Sequence, residues 1–227
     1  FLVGIIAGLV VLLYRILLEY AGAGMDLVLR YSRQYPLIAG AWFFILFSLA
    51  CIVGRLVKYE PMISGSGIPQ LEGEMTGKLD QVWWRVLPAK FLGGFLSLFA
   101  GLSLGREGPS IQIGAMAGKA VSKALDRGKT EEKYLLTCGA SAGLAAAFHA
   151  PLAGVMFSLE EIHKNFSISV LVSVMTASIT ADYISGRFLG FEAVFQFDIG
   201  AEILPEFYWH IIILGVILGV LGAFYNK

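Results

Sequence analysis

The sequence predicts an all-helical membrane protein whose helices are interrupted by short polar turns. Hydrophobic residues make up 57% of the 227 residues, charged residues make up only 15%, and the mean hydropathy is +0.73. These values lie outside the range of ordinary soluble domains. No alternation of apolar and polar residues continues long enough to predict a strand. The formal net charge is zero, so we expect no nucleic acid as a partner.

Charge-free runs locate the membrane segments in chain order. A bilayer core about 30 Å thick requires roughly 20 apolar residues in a helix. Runs of that order cover residues 34–54, 134–159 and 207–226, and shorter runs cover residues 1–14, 91–105 and 165–181. Trp83 and Trp84 precede one of the shorter runs, and such an aromatic pair is typical of a membrane interface. The chain is therefore expected to cross the membrane several times.

Two polar turns interrupt this pattern, Gly-Ser-Gly-Ile-Pro at residues 65–69 and Gly-Arg-Glu-Gly-Pro at residues 105–109. Each follows an apolar stretch and opens a helical one, so each predicts a helix N-terminus within the membrane. The unpaired N–H groups there carry about half a positive charge and attract anions. Irregular backbone at membrane depth is tolerated only where it is buried in protein or lines a water-filled cavity. The two turns therefore indicate a pathway for a small anion.

A third interruption, His149-Ala150-Pro151, divides the run at residues 134–159. We expect the pieces around Glu107 and Pro151 to be half-helices, too short to cross the membrane alone, as is typical of transporters. His149 is expected to bond backbone carbonyls freed at the break. Glycines spaced four residues apart predict closely packed helices. The pairs are Gly4/Gly8, Gly114/Gly118, Gly139/Gly143, Gly186/Gly190 and Gly215/Gly219.

Other patterns are interpreted as structural. Residues 139–143 match the Gly-x-Ser-x-Gly motif of serine hydrolases, but that motif follows a strand and here lies in an Ala- and Gly-rich helix. The three histidines lack metal-ligand spacing, and Cys51 and Cys138 are interpreted as buried free thiols. The charged residues between 119 and 133 are interpreted as a solvated loop. We therefore expect no enzyme activity, no catalytic residue, no metal and no cofactor.

Acidic residues near the interruptions indicate an ion or proton path. A carboxylate at membrane depth costs about 2.5–3.5 kcal/mol on insertion scales, so such residues are commonly functional. Glu107 stands in the first turn of a helix, where it would occupy the site prepared for an anion; the alternative is a capping acid that stabilises the helix dipole. Glu160 and Glu161 end an apolar stretch, and the alternative for Glu161 is a helix end exposed to water.

Three blocks together resemble the signature blocks of the CLC family of chloride channels and proton/chloride antiporters. They are residues 65–69, residues 105–109, and residues 143–154 continuing to Glu160-Glu161. The resemblance runs over nearly the whole chain but covers about half of the family's membrane domain, which is an inverted repeat. It implies the first repeat at residues 1–190, a polar linker at 191–206, and the opening helix of the second repeat at 207–227.

The resemblance also implies roles for individual residues. Ser66 matches the serine that coordinates the central anion and favours chloride. Glu107 matches the gating glutamate, which blocks the pathway when ionised and swings away when protonated. Glu161 matches the inner proton-transfer glutamate of the antiporters, which channels replace. The implied anion-binding residues are Gly65, Ser66, Gly67, Ile68, Gly105, Arg106 and Gly108.

The function that the resemblance implies is proton-coupled chloride antiport by a homodimer in the plasma or inner membrane, with chloride ions and protons as substrates. A passive voltage-gated chloride channel and a fluoride- or nitrate-selective relative stay open as alternatives, and so does a membrane scaffold that transports nothing. The family's second anion-site motif, Gly-x-Phe-x-Pro, is absent. We therefore expect a truncated chain, with the second repeat in the same protein or in a partner chain. The sequence also departs from the family's usual residues at His149 and Gln70.

Overall fold

The structure is a computed structural model that describes residues 1–164, 166–191 and 204–225. In these residues every regular element is helical, as predicted. The α-helices are α1 (Leu2–Gln34), α2 (Pro36–Tyr59), α3 (Ile68–Met75), α4 (Trp83–Phe99), α5 (Glu107–Ala124), α6 (Lys129–Phe148), α7 (Pro151–Phe157), α8 (Ile168–Leu189) and α9 (Tyr208–Tyr225). Single 3-10 turns cover Pro61–Ile63 and Pro205–Phe207, and a π-helical turn covers Ser158–His163.

The chain forms two compact units, Phe1–Val194 and Phe195–Lys227. The first unit holds α1 to α8, and the second holds α9. Most of the predicted linker falls on residues 192–203, which lie outside the described residues. The predicted boundaries of the first repeat and of the last helix therefore stay predictions.

Within the described ranges, four helical segments are long and apolar enough to cross a membrane: α1, α2, α8 and Pro205–Tyr225. Helix α1 continues far beyond the charge-free run at residues 1–14 because Arg15 is almost buried and has partners. Its Nε lies 3.5 Å from the Glu19 carboxylate one turn later. A charge that is paired inside the protein does not end a membrane helix.

Helices α5 and α6 form the centre of the first unit, and small residues let them approach closely. The paired glycines of α5 (Gly114 and Gly118) face those of α6 (Gly139 and Gly143), and a Cβ atom on any of them would collide with the opposite backbone. Ser141 of the hydrolase-like motif is fully buried inside α6. The packing interpretation of these glycines is confirmed.

Helices α1, α4 and α8 surround this centre. Gly4 and Gly8 of α1 lie against Ala177 and Ala181 of α8, where a Cβ on Gly4 would come within 2.6 Å of the Ala177 carbonyl oxygen. Buried residues of α1, α5, α6 and α8 form one continuous apolar core. Gly215 and Gly219 lie in the second unit, and close packing stays a prediction for that pair.

Two predictions about the elements need correction. Helix α5 has 18 residues, which at 1.5 Å per residue is about 27 Å, close to the thickness of a membrane core. It is therefore longer than a half-helix, although it is not among the four described segments that are long and apolar enough to cross a membrane. The short pieces are α3 with 8 residues and α7 with 7. Both cysteines are free, but Cys51 is exposed on α2, whereas only Cys138 is buried.

Candidate anion and proton site

The two polar turns meet, and each begins a helix at the meeting point. Gly67 is the N-cap of α3, with a left-handed φ of 92° that favours glycine. Gly108, in the first turn of α5, lies so close to Ser66 that a Cβ atom would come within 2.6 Å of the Ser66 carbonyl oxygen. The N-termini of α3 and α5 therefore lie side by side. Their free N–H groups concentrate positive potential at one place.

Ser66 offers a hydroxyl at this place. The side chain is exposed, and its Oγ accepts the N–H of Ile68 over 3.3 Å. The hydroxyl hydrogen is then available to donate to an anion. Gly65, with a φ of 65°, and the half-buried Ile68 complete the turn. This turn presents donors and no carboxylate.

Lys90 of α4 supports the first turn from behind. Its ammonium donates to the carbonyls of Ile63 (2.8 Å) and Gly65 (2.7 Å), and the residue is only 4% exposed. A cavity of about 330 Å³ beside it is lined by both α2 and α4 side chains and by Ser64 and Gly65. Lys90 thus holds the carbonyl groups of Ile63 and Gly65 on its own side of the turn. Its ammonium also adds a positive charge near the turn.

The second turn carries a gate candidate without a partner in the described residues. Glu107 is the first residue of α5 and is exposed. Arg106 is the N-cap of α5, and its guanidinium lies 5.3 Å above the ring of Phe148. Gly105 is exposed in the loop before it. A free carboxylate next to two helix N-termini has the charge to compete with an anion for the same donors.

Glu161 lies in the π-helical turn after α7 and is exposed. The turn closes with the N–H of Lys164 on the carbonyl of Leu159, 3.0 Å away. It packs against α3, so the Glu161 segment and the first anion turn belong to neighbouring elements. Short π-helical segments are frequent at functional sites.

The break between α6 and α7 is held by side chains from other helices. His149 has a left-handed φ of 53° and places its Nδ1 3.1 Å from the Asp182 carboxylate of α8. The prediction that His149 bonds freed carbonyls is therefore wrong. The free carbonyl of Ala146 instead accepts from Ser185 (2.9 Å) and Arg15 (3.4 Å). Buried carbonyls at a helix break need such donors.

Sequence reasoning missed a set of buried polar residues that we call the α5 network: Glu74, Gln81, Gln112 and Lys119. Each is less than one-tenth exposed, and hydrogen bonds join them. The interpretation of the charged residues 119–133 as a solvated loop is wrong for Lys119 and Glu132, which are buried within α5 and α6. The available signal was the spacing of Gln112, four residues after Gly108, and Lys119, seven residues after Gln112.

The α5 network reaches water at Asp80, in the loop between α3 and α4. The Asp80 carboxylate accepts from the Lys119 ammonium over 2.6 Å, and this hydrogen bond lowers the pKa of Asp80. Carboxylate oxygens of Glu74, Asp80 and Glu132 lie within 4.8 Å of one another. Because the Lys119 ammonium bonds two of these carboxylates, it takes the place that a cation would occupy.

Comparisons with known proteins identify the family of this chain. A family model described as voltage gated chloride channel matches residues 49–227. The H(+)/Cl(-) exchange transporters ClcA of Yersinia pestis bv. Antiqua (strain Angola) and Yersinia pseudotuberculosis serotype O:3 (strain YPIII) are each 33% identical over 233 residues. These alignments cover 99% of this chain and 48% of each relative. The chain thus spans about half the length of the curated relatives it matches.

Two solved structures share the fold. The crystal structure of a slow cyanobacterial Cl−/H+ antiporter matches with a TM-score of 0.79 and 34% identity, over 99% of this chain and 55% of that one. A CLC-type fluoride/proton antiporter matches with a TM-score of 0.69 over 97% and 55%, and at 21% identity it is a likeness of fold alone. The fold is a half-repeat of the CLC architecture, and with its apolar helices the chain is a multi-pass membrane protein. The chain therefore belongs to the CLC family of chloride channels and proton/chloride antiporters.

Proposed function

We propose that the protein to which this chain contributes exchanges chloride for protons across the membrane. The observation that carries the proposal is the contact between Ser66 and Gly108, which joins the N-termini of α3 and α5. A small anion placed there receives N–H donors from two helices and the hydroxyl of Ser66. The exchange transporters and the chloride/proton antiporter that resemble this chain support the same substrates.

Chloride is held, in this proposal, by the backbone and side-chain donors of the two turns. The residues are Gly65, Ser66, Gly67, Ile68, Gly105, Arg106 and Gly108. Halide size and charge suit such a site because N–H and O–H donors replace the water that the ion loses. The positive charges of Arg106 and Lys90 favour an anion over a cation.

Glu107 acts as the gate and as a proton carrier. When ionised, its carboxylate competes with chloride for the donors at the start of α5; when protonated, it has no charge and leaves the site. Proton uptake and anion entry thus become alternating events. Glu161, on the neighbouring π-helical turn, acts as the inner proton-transfer group, which exchanges protons with Glu107.

The wider assembly follows from the same proposal. The second repeat of the family's inverted architecture completes the cavity, either in the same protein or in a partner chain, and two copies form a homodimer. The plasma or inner membrane is the proposed location. No cofactor is required, since the site uses only backbone donors and protonatable side chains.

The test measures proton uptake driven by a chloride gradient in liposomes that contain the full-length protein. We expect wild-type protein to move protons against their gradient. Glu107→Ala removes the competing carboxylate, so chloride flux should continue at a comparable rate while proton coupling is lost. Coupling that survives in Glu107→Ala would refute the role of Glu107.

The second arm of the same measurement uses Glu161→Gln. This substitution keeps the size of the side chain but removes its ability to bind and release a proton. Proton movement should fall below detection while chloride flux persists. A charged surface control, Glu131→Gln, lies on the exposed part of α6 and should leave both fluxes unchanged. Equal loss of chloride and proton flux in Glu161→Gln would contradict a proton-specific role.

A further inference from the structure

The α5 network forms one continuous hydrogen-bonded chain beneath α3. The Lys119 ammonium donates to the Glu74 carboxylate and to the Gln81 carbonyl, the latter 2.6 Å away. Gln81 Nε2 donates to the other oxygen of Glu74 over 3.0 Å, and Gln112 Nε2 donates to Gln81 Oε1 over 2.7 Å. These hydrogen bonds therefore connect the last turn of α3 with Gln112 and Lys119 of α5.

The directions of these bonds fix the amide of Gln112. Its second N–H donates to the carbonyl of Met62, 2.9 Å away and just before the first polar turn. Since Met62 and Gln81 both present acceptor oxygens, turning the amide round would place oxygen against oxygen. Gln112 Oε1 therefore faces Gly67, where a Cβ atom would collide with it.

One face of α5 thereby holds α3 at both ends. Gly108, Gln112 and Lys119 are four and seven residues apart, a spacing that places them on the same side of a helix. Gly108 and Gln112 contact the turn at residues 65–69, and Lys119 holds Glu74. A helix of 8 residues is too short to be stable alone, so its position is set by these contacts.

We propose that Glu74, Gln81, Gln112 and Lys119 are positioning residues that set the halide affinity and selectivity of the anion site. The proposal rests on the chloride transport proposed above. None of the four belongs to the polar turns at residues 65–69 and 105–109; through their contacts they hold α3 against α5. The Glu74–Lys119 pair has no net charge and adds little potential at the turn, so its effect is positional.

The experiment compares chloride KM, maximal rate and nitrate-to-chloride preference of the full-length protein in liposomes. Gln112→Met removes both hydrogen bonds that the side-chain amide donates and keeps a similar side-chain volume. The double variant Glu74→Gln/Lys119→Met removes the ion pair without leaving a buried charge unpaired. Each should raise the chloride KM roughly tenfold, within the range known for misplaced binding groups. The preference for chloride should fall, while the proton-to-chloride ratio stays at the wild-type value.

Two matched controls separate positioning from general damage. Lys119→Arg keeps a cation beside Glu74, so its chloride KM should stay at the wild-type value. Glu72→Gln removes a carboxylate of α3 whose ion-pair partner among the described residues is Lys164, 3.4 Å away near the surface. This variant should leave the KM unchanged. A comparable rise in KM for Glu72→Gln would overturn the proposal.

A wild-type KM and preference in folded Gln112→Met would also overturn it. If Gln112→Met does not fold, Gln81→Met takes its place with the same expected rise and the same contradicting result, because it leaves the Glu74–Lys119 pair and the Met62 bond intact. A wild-type protein that moves no chloride would instead refute the proposed function itself.

Discussion

At the contact between Ser66 and Gly108, a missing side chain decides how close two helix ends come. Any Cβ atom on Gly108 would press on the backbone of Ser66, including its Cα at 2.8 Å. Backbone, unlike a long side chain, cannot rotate away. The proposed anion site therefore requires a residue without a Cβ atom at position 108.

Gly108→Ala tests this requirement. We expect the first turn of α5 to move away from Ser66, at a cost of about 1–3 kcal/mol typical of overpacking, and the chloride affinity to fall. Calorimetric titration of chloride into the purified full-length protein measures the affinity, and thermal unfolding measures the stability. Gly54→Ala is the control, because Gly54 of α2 has open space around it. An unchanged chloride affinity in Gly108→Ala would contradict the expectation.

The residues of the two turns were predictable from sequence, whereas their supports were not. Glycine and proline mark interruptions wherever they cluster in an apolar chain, so residues 65–69 and 105–109 stood out. Lys119 belongs to a run of charged residues, and lysine is seldom buried without a partner. Its partner Glu74 lies 45 positions away in the chain, and only the fold brings the two together.

At the scale of helices, counting charges located the apolar segments but misjudged their lengths. Arg15 lies inside α1, where it forms an ion pair with Glu19 and donates a hydrogen bond to the Ala146 carbonyl. Helix α5 is buried by other helices, and its Gln112 and Lys119 donate hydrogen bonds to residues outside α5. Hydropathy predicts whether a helix surface faces lipid or water. A central helix such as α5 packs against other helices, so its polar residues do not show that it lies outside the membrane.

The seam between α5 and α6 gives a prediction about helix packing. Gly139→Ala would place a methyl group against the backbone of Gly114, so the two helices would have to separate. We expect a loss of about 1–3 kcal/mol in stability, seen as a lower Tm of the full-length protein in detergent. Gly40→Ala on α2, where the Cα has open space, should leave the Tm nearly unchanged. A Tm for Gly139→Ala at or above the wild-type value would contradict the seam's importance.

For the whole molecule, the residues that the structure describes in the first unit do not enclose the proposed site. Ser66, Gly105, Glu107 and Glu161 are all exposed. Donors that replace the hydration of an anion are effective only where bulk water is kept out. This chain covers 48% of the curated relatives it matches and 55% of the solved chloride/proton antiporter chain. A second repeat is thus the expected source of the missing wall.

Reconstitution of the chain with and without a second repeat tests this expectation. The 227-residue chain alone should show no proton uptake under a chloride gradient, because its turns would face water or lipid instead of a closed cavity. Co-expression with a polypeptide that carries the second repeat should restore coupled flux, and Glu107→Ala in the co-expressed pair should leave chloride flux without proton coupling. Empty liposomes and liposomes with the second polypeptide alone give the background. Coupled transport by the isolated chain would show that α1 to α9 enclose a complete pathway, and the need for a second repeat would be disproved.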